Sequence, residues 1–500
     1  MKNRLQGRAT EKQSKMCNIV VFDEDIPKKD CRLTFVDFAP TLKYDFDTSE
    51  LDSISFSEVV NYANGWLKQQ DCWDVVNCET IAAIITITVD ERGVITWKDI
   101  LKTYTISEDT QEYKDNVRTW HVVRLCRDPV DYRVLLYRLW IRPFDPRDYN
   151  EKVRPIIPVL QYRDFEPKLL DKNNHQFESI DDVMKRLNQA INQEELNGKI
   201  LNIQTLAFRA DNQWQVNTET SQSRPWIGKI VYVLRVYYAL GPIFDEEVGF
   251  ADFIPQCLSG GSIFKRPKFE SQQFILEKAS KWLSDNPEIN FCSAVSMDVK
   301  LKSMVSIDTK QMSAIRETGD YIRILRLAYT KPRDVPADIP ESATLPPPPP
   351  VYLESRPFVL HKSYSEVKRS VNEFMNRQEW SSQAPDRYKW SLFSCETVPV
   401  FSSNSLKQSL ETNSDQSFQA ILSSSRSINR SEYFAVKIYF DVGYYGVDHQ
   451  LPDKQGSQAP AAAAAPAVDT PTSTTSADGV GSGGDDASND NDKRKSCTIM

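Results

Sequence analysis

Hydrophobic and polar positions follow a helical rhythm at four places along the chain, each time behind an aromatic residue. Apolar side chains recur 7 and 10 residues beyond that aromatic residue, which puts them on one helical face. The four stretches begin FSEVVNYANGWL at Phe56, FESIDDVMKRLNQAI at Phe177, FESQQFILEKASKWL at Phe269 and YSEVKRSVNEFM at Tyr364. The pattern predicts four amphipathic helices, each with a Ser one or two residues past the aromatic residue as its N-cap.

Two further stretches follow each predicted helix and are rich in β-branched and aromatic residues, which is typical of strands. The first of the two begins near Val75, Ile200, Ile289 and Trp390. Cys-Glu-Thr occurs in it at 78–80 and 395–397, and Asn202–Thr205 is similar; in the third stretch Cys292 and Ser293 take the matching places. The second, a closing strand, carries one basic residue in each case: Arg138, Arg235, Arg326 and Lys437.

The recurring order of helix, strand and closing strand predicts an α+β fold of four repeated small modules, each a helix packed on a mainly antiparallel sheet. We place the modules at 17–150, 151–255, 256–330 and 358–450. Residues 1–16 are expected to be a basic disordered N-terminus, and 331–357 a proline-rich linker. Residues 451–500, poor in large apolar side chains, are expected to be a disordered tether.

The composition and charge of the chain argue against several classes of protein. A net charge of −8 argues against a nucleic-acid-binding protein, which normally carries a basic face. We find no run of about 18 apolar residues, so a membrane-spanning helix is not expected. The N-terminus lacks a secretory apolar segment, and Lys2 excludes N-myristoylation. Nine scattered cysteines without a C-x-x-C motif indicate reduced thiols rather than disulfides or a zinc site.

Candidate catalytic residues are sparse. The four histidines, at 121, 175, 361 and 449, are far apart and lack ligand-spaced partners, so we predict no metal site, no cofactor and no enzymatic activity. Cys78, Cys292 and Cys395 recur at similar places and are interpreted as small buried residues rather than nucleophiles. The basic residues of the closing strands are interpreted as the polar face of half-buried strands, with a shared binding surface as the alternative.

The tail KRKSCTIM carries the most specific motif in the chain. Cys497 in CTIM supplies the thiol of a C-a-a-X prenylation signal, and a terminal Met favours farnesylation. Lys493, Arg494 and Lys495 add a basic cluster, the second signal that stable anchoring at an anionic membrane requires. The tail resembles the processing signal shared by prenylated proteins such as small GTPases and lamins, and the resemblance covers this tail alone.

A proline run offers a second recognition motif. The prolines at 346, 347, 348, 349 and 350 favour a stiff polyproline II ridge of the type that SH3, EVH1 or profilin-type partners bind. Pro349-Pro350-Val351-Tyr352 also matches the PPxY pattern that WW domains recognise. The alternative is a rigid spacer between the third and fourth modules.

These features together predict a prenyl-anchored peripheral membrane scaffold or adaptor at the cytoplasmic face of a membrane. Repeated modules with divergent surfaces suit multivalent binding without catalysis. The expected partners are an anionic membrane surface, a prenyltransferase and a domain that binds the proline run, with no nucleic acid. The alternatives are a protein that binds lipid or a small apolar ligand, or an enzyme with an unrecognised cleft.

Overall fold

A computed structural model describes residues that all lie within one compact unit, Met1–Gly446. The described residues are 19–21, 31–40, 42–45, 50–70, 73–85, 132–144, 157–172, 174–220, 222–223, 228–243, 246–260, 267–301, 307–316, 319–333, 353–359, 364–377, 390–401, 415–421 and 432–442.

The elements fall into four consecutive segments. Segment 1 contains β1 Ile19–Val21, β2 Thr34–Pro40, β3 Leu42–Asp45, β4 Glu50–Ser53, α1 Phe56–Gln69, β5 Trp73–Ile85 and β6 Tyr132–Pro143. Segment 2 contains β7 Leu160–Phe165, β8 Leu169–Asp171, β9 Gln176–Phe177, α2 Ile180–Asn192, β10 Asn197–Arg209, β11 Gln222–Ser223 and β12 Gly228–Ile243.

Segment 3 contains β13 Glu246–Phe253, β14 Cys257–Ser259, β15 Lys268–Phe269, α3 Gln272–Asp285, β16 Asn290–Lys300, β17 Ser313–Arg316 and β18 Gly319–Pro332. Segment 4 contains β19 Leu353–Val359, α4 Tyr364–Met375, β20 Ser391–Phe401, β21 Phe418–Ile421 and β22 Glu432–Asp441. The described chain is therefore α+β with four helices, and its paired strands are antiparallel.

Each segment builds a sheet around its last strand, here called the closing strand. The closing strands β6, β12, β18 and β22 pair on one edge with an opening strand, which is β2, β7, β13 or β19 respectively. On the other edge they pair with the strand that follows the helix, here called the second strand, which is β5, β10, β16 or β20. Because β13 pairs with β18, the predicted boundary at residue 255 lies between two strands of one sheet.

The predicted second and closing strands are confirmed. The predicted caps Ser179 and Ser271 are confirmed, and they place the starts of α2 and α3 three residues beyond the aromatic residues. Phe177 and Phe269 end short strands, and Ser179 and Ser271 then cap α2 and α3 by accepting backbone N–H groups from Asp182 and Phe274. The extended conformation of the cap residue ends the strand and starts the helix behind it.

In α1 the cap differs from the prediction. Ser55, the residue before Phe56, accepts a hydrogen bond from the Glu58 amide, and the Glu58 side chain returns one to the Ser55 amide. This capping box fixes the start of α1 at Phe56 itself. The predicted cap lay one residue beyond Phe56.

The helices contact the following segment as well as their own. The residue eight positions into each helix holds the backbone at the start of the next opening strand. Asn188 of α2, for example, donates to the Val248 carbonyl at 2.9 Å and accepts from the Val248 amide at 2.8 Å. The corresponding contacts are Asn64 with Leu160, Ser280 with Leu353, and Asn372 with Leu33.

The last of these contacts joins segment 4 to segment 1. The buried core repeats this arrangement, because hydrophobic clusters join each segment to the next. One of them packs Val371 and Phe374 of α4 against Phe35 and Trp140 of segment 1. Strand β2 is consequently buried along its whole length, between α1 and α4. The contacts form a closed circuit from segment 1 to segment 4 and back.

Short strands reinforce the junctions. Strand β11 of segment 2 pairs with β6, β17 of segment 3 pairs with β12, and β21 of segment 4 pairs with β18. In each case the short strand pairs with residues of the closing strand that the opening strand of that sheet does not pair with. Among the helices that the structure describes, none combines the length and apolarity needed to cross a bilayer.

Candidate functional site

In three of the sheets, the basic residue of the closing strand forms a two-point ion pair with an Asp directly opposite on the opening strand. Arg138 Nε and Nη2 lie 2.6 and 2.7 Å from the two carboxylate oxygens of Asp37. The equivalent pairs are Arg235 with Asp164 and Arg326 with Asp252, each through two hydrogen bonds of 2.6–2.7 Å. A planar guanidinium matches both carboxylate oxygens, so these pairs fix the two strands in register.

The fourth sheet departs from this arrangement. Lys437 lies opposite Pro357, which has no carboxylate to offer. Its ammonium group lies 3.9 Å from Glu396 on the second strand and donates to Ser296 Oγ at 3.0 Å. Burial lowers the pKa of Lys437, although Glu396 opposes that effect.

These basic residues do not form the polar face of half-buried strands, so that interpretation is wrong. Arg138 and Arg235 are 0% exposed, and Arg326 and Lys437 are 2% and 5% exposed. A charged group buried to this extent requires a partner, which the Asp residues and Glu396 supply.

The same basic residues also join neighbouring segments. Arg138 Nη1 donates to Thr397 Oγ1 of segment 4 at 2.8 Å. Each of the other three donates to a hydroxyl on the second strand of the preceding segment, namely Arg235 to Thr80, Arg326 to Thr205 and Lys437 to Ser296, at 3.0–3.3 Å. The second strands β5, β10, β16 and β20 accordingly lie against one another in a closed circuit.

A side chain of the second strand completes three of the four junctions. Glu79, opposite Arg138, accepts hydrogen bonds from the Thr397 amide at 2.8 Å and the Thr397 hydroxyl at 2.6 Å. Glu396 binds Ser296 in the same way, with both distances 2.7 Å. Gln204 accepts from the Thr80 amide at 2.6 Å and donates to the Thr80 carbonyl at 3.4 Å.

The junction between segments 2 and 3 lacks this side chain. Strand register places Val295 opposite Arg326, where the other sheets have Glu79, Gln204 and Glu396. The sequence comparison had matched Ser293 to Glu79, which is wrong by two residues. Each second strand has an irregularity just before this region, and in β16 it lies between Phe291 and Ser293.

A cavity of about 380 Å³ lies at this same junction. Its walls are largely apolar, and Thr205 and Arg326 line it. The other lining residues come mainly from the ends of β16, β17 and β18: Tyr232, Met297, Val299, Lys300, Asp308, Thr309, Gln311, Met312, Ser313, Ala314, Ile315 and Tyr321. A cavity of this size with mostly apolar walls is typical of a small-molecule site.

The cysteines of the second strands are poor nucleophiles. Cys78 and Cys395 are buried, which confirms the prediction for these two, whereas Cys292 is partly exposed. Burial raises the pKa of Cys78 to about 12, so its thiol stays protonated at neutral pH. Among the described residues no group of His, Cys, Asp and Glu is arranged to hold a metal ion.

The site residues predicted from the sequence all fall outside the described residues. These are Lys493, Arg494, Lys495 and Cys497 of the tail, and Pro346, Pro347, Pro348, Pro349, Pro350 and Tyr352 of the proline run. Their roles stay predictions. The structure therefore brings together a different set of residues.

Sequence reasoning missed the acidic partners of the closing strands, although the sequence carries a signal for them. Each of the three Asp residues that pair with a closing-strand Arg is followed by Phe, in FVDFAP, QYRDFE and GFADFI. The fourth opening strand has Pro357-Phe358 at the same register. Pairing these three Asp-Phe dipeptides, out of four in the chain, with the three closing-strand Arg residues would have predicted the ion pairs.

Comparisons with known proteins identify no relative: no protein-family profile, curated protein or solved structure matches this chain.

Proposed function

We propose that this protein is a non-enzymatic scaffold built from four related α+β modules and held at an anionic membrane surface through Cys497. The observation that carries the proposal is the circuit of buried polar contacts that passes from each segment to the next and returns from the fourth to the first. Those contacts use the buried ionisable groups to hold neighbouring segments together. Such an arrangement makes a rigid platform whose outer surfaces are left for binding partners.

The proposal of four related modules is supported by equivalent positions. Helix starts are 92 residues apart from Ile180 to Gln272 and again from Gln272 to Tyr364. In all four segments the closing strand is central, and a side chain eight residues into the helix binds the next opening strand. Unrelated sequences would not place the same contacts at the same offsets.

The proposed attachment to the membrane rests on the sequence motif of the tail. A prenyl group on Cys497 supplies one anchor, and Lys493, Arg494 and Lys495 supply the electrostatic second signal at the cytoplasmic face. Fractionation of cells that express wild type, Cys497→Ser or Ser496→Ala tests this. We expect wild type and S496A in the membrane pellet, and C497S in the supernatant. Equal membrane association of wild type and C497S would contradict the anchor, and mass spectrometry of the C-terminal peptide reads the modification directly.

The scaffold role is proposed to include recruitment through the proline run. We expect a purified WW domain of the PPxY-binding class to bind the full-length protein, and Tyr352→Ala to lower that affinity by about tenfold or more. Phe358→Ala, on the neighbouring strand β19, serves as a control that leaves the motif intact. If WW, SH3 and EVH1 domains all bind Y352A with the same affinity as wild type, the proline run is a spacer.

A further inference from the structure

The cavity between segments 2 and 3 has an apolar end. At the junction between segments 1 and 2, a phenylalanine side chain occupies the equivalent place. In β10, four residues beyond Gln204, Phe208 is 5% exposed and packs into the core shared by segments 1 and 2. The position four residues beyond Val295 in β16 is Val299, which lines the cavity. The smaller side chain leaves space where a phenyl ring stands one segment earlier.

The polar end of the cavity lies at Thr205. Arg326 Nη1 donates to Thr205 Oγ1 at 3.1 Å, and in the part of the chain that the structure describes no side chain accepts the Thr205 hydroxyl proton. At the other three junctions a Glu or Gln accepts a hydrogen bond from the backbone amide of the equivalent Thr or Ser. Val295 cannot do so. The Thr205 amide lies on the same edge of β10 as the amide of Ile203, two residues earlier, which donates to Ser293 of β16.

The charged residues around Thr205 determine which ligand end group can bind there. Arg326 is already neutralised by Asp252, through hydrogen bonds of 2.6 and 2.7 Å. The other two charged residues that line the cavity, Lys300 and Asp308, have opposite charges, so the lining carries no net charge. Segment 2 has the same Arg–Asp pair, and there the neighbouring side chain is the neutral amide of Gln204, which both accepts from and donates to the Thr80 backbone. A buried carboxylate beside an Arg–Asp pair is disfavoured, since burial raises the pKa of Glu79 in that setting.

We propose that this cavity binds a small apolar molecule ending in a primary carboxamide. The amide takes the position that Gln204 holds at the preceding junction, with its carbonyl accepting from Thr205 and its NH₂ donating to the backbone of β10. The apolar body lies against Met297, Val299 and Met312. This site is independent of the scaffold role and of the membrane anchor.

Calorimetric titration of the full-length protein with octanamide, octan-1-ol and octanoate tests the proposal. The three probes share an apolar chain and differ in the end group. We expect octanamide to bind about tenfold more tightly than either of the others, because two hydrogen bonds to a buried polar group distinguish them. Equal affinity for octanamide and octan-1-ol, tighter binding of octanoate, or no binding of octanamide would each overturn the proposal.

Variants locate the site. Val295→Gln supplies from within the chain the amide that the ligand provides, and we expect it to weaken octanamide binding at least tenfold while retaining the fold. Val295→Ile, the matched control, keeps wild-type affinity within about twofold. Val299→Phe fills the apolar end as Phe208 does and should also abolish binding, which keeps the test decisive if V295Q fails to fold. Unchanged binding by V295Q or V299F would place the ligand elsewhere.

Discussion

Glu79 is the carboxyl group at the junction where segment 4 meets segment 1. It is 1% exposed and accepts hydrogen bonds from Trp140 Nε1 and from the amide and hydroxyl of Thr397. Burial raises its pKa above the ordinary 4.5, and the charge of Arg138 only partly offsets that rise. The folded protein therefore holds the Glu79 proton more tightly than the unfolded chain does.

This raised pKa predicts a specific pH dependence. The stabilising contribution of Glu79 is fully present below the pKa that it has in the unfolded chain. That contribution is lost as pH rises through the higher pKa of the folded protein. Glu79→Gln, which copies Gln204, removes that titration. We expect the free energy of unfolding of wild type to fall relative to E79Q as pH increases from about 4.5. Urea unfolding of both proteins between pH 4 and 8 measures the difference, and parallel curves would contradict the raised pKa.

The buried ion pairs make a second prediction at this scale. Arg235→Met leaves Asp164 buried without its partner, so we expect a loss of about 3–5 kcal/mol in the free energy of unfolding. Arg142→Met is the matched control, because Arg142 also pairs with an Asp, Asp74, but the two side chains are 47% and 29% exposed. That substitution should cost less than about 1 kcal/mol. Denaturant unfolding of the two variants measures both losses in the free energy of unfolding. Equal losses would show that burial does not determine how much an ion pair stabilises the protein.

At the scale of elements, the helix residue that binds the next opening strand links local structure to assembly. Asn188 satisfies both backbone groups of Val248 with one side chain. We expect Asn188→Ala to destabilise the protein by about 1–3 kcal/mol, since it leaves an amide and a carbonyl without partners. Asn192→Ala, at the exposed end of α2, is the control and should change stability little. A cost for N188A no larger than that for N192A would contradict the contact.

Much of this architecture could be predicted from periodicity and strand composition. The four helices, the second strands and the closing strands were all predicted, because each presents an uninterrupted apolar pattern. The capping serines Ser179 and Ser271 were also predicted, whereas Ser55 of α1 was missed, because it precedes the aromatic residue on which the stretches were aligned. An alignment on Ser55, Ser179 and Ser271 would have shown the Asn or Ser that lies eight residues beyond the first residue of each of these helices.

The candidate site could be predicted less well than the fold. A contact such as Arg138 to Thr397 joins residues far apart in the chain, and single-sequence patterns carry no direct information about it. The position of Val295 depended on the irregularity in β16, which shifts register without any signal in hydrophobicity. The cavity at that junction follows from these two features together, so it became visible only in the structure.

At the scale of the whole molecule, the central claim is that segment 4 binds segment 1 and closes the circuit of polar contacts. Closure spreads stability over all four segments, because no segment in the circuit then lacks a neighbour on either side. The Glu79–Thr397 contact is the most direct test of it, since the two residues are brought together only by closure.

The decisive measurement is a double-mutant cycle on the free energy of unfolding, with Glu79→Met and Thr397→Val. We expect a coupling energy of about 1–3 kcal/mol between the two positions. A control cycle that combines E79M with Thr205→Val, at a junction Glu79 does not touch, should be additive within about 0.5 kcal/mol. Additivity of Glu79 and Thr397 to the same degree as the control would contradict a closed circuit.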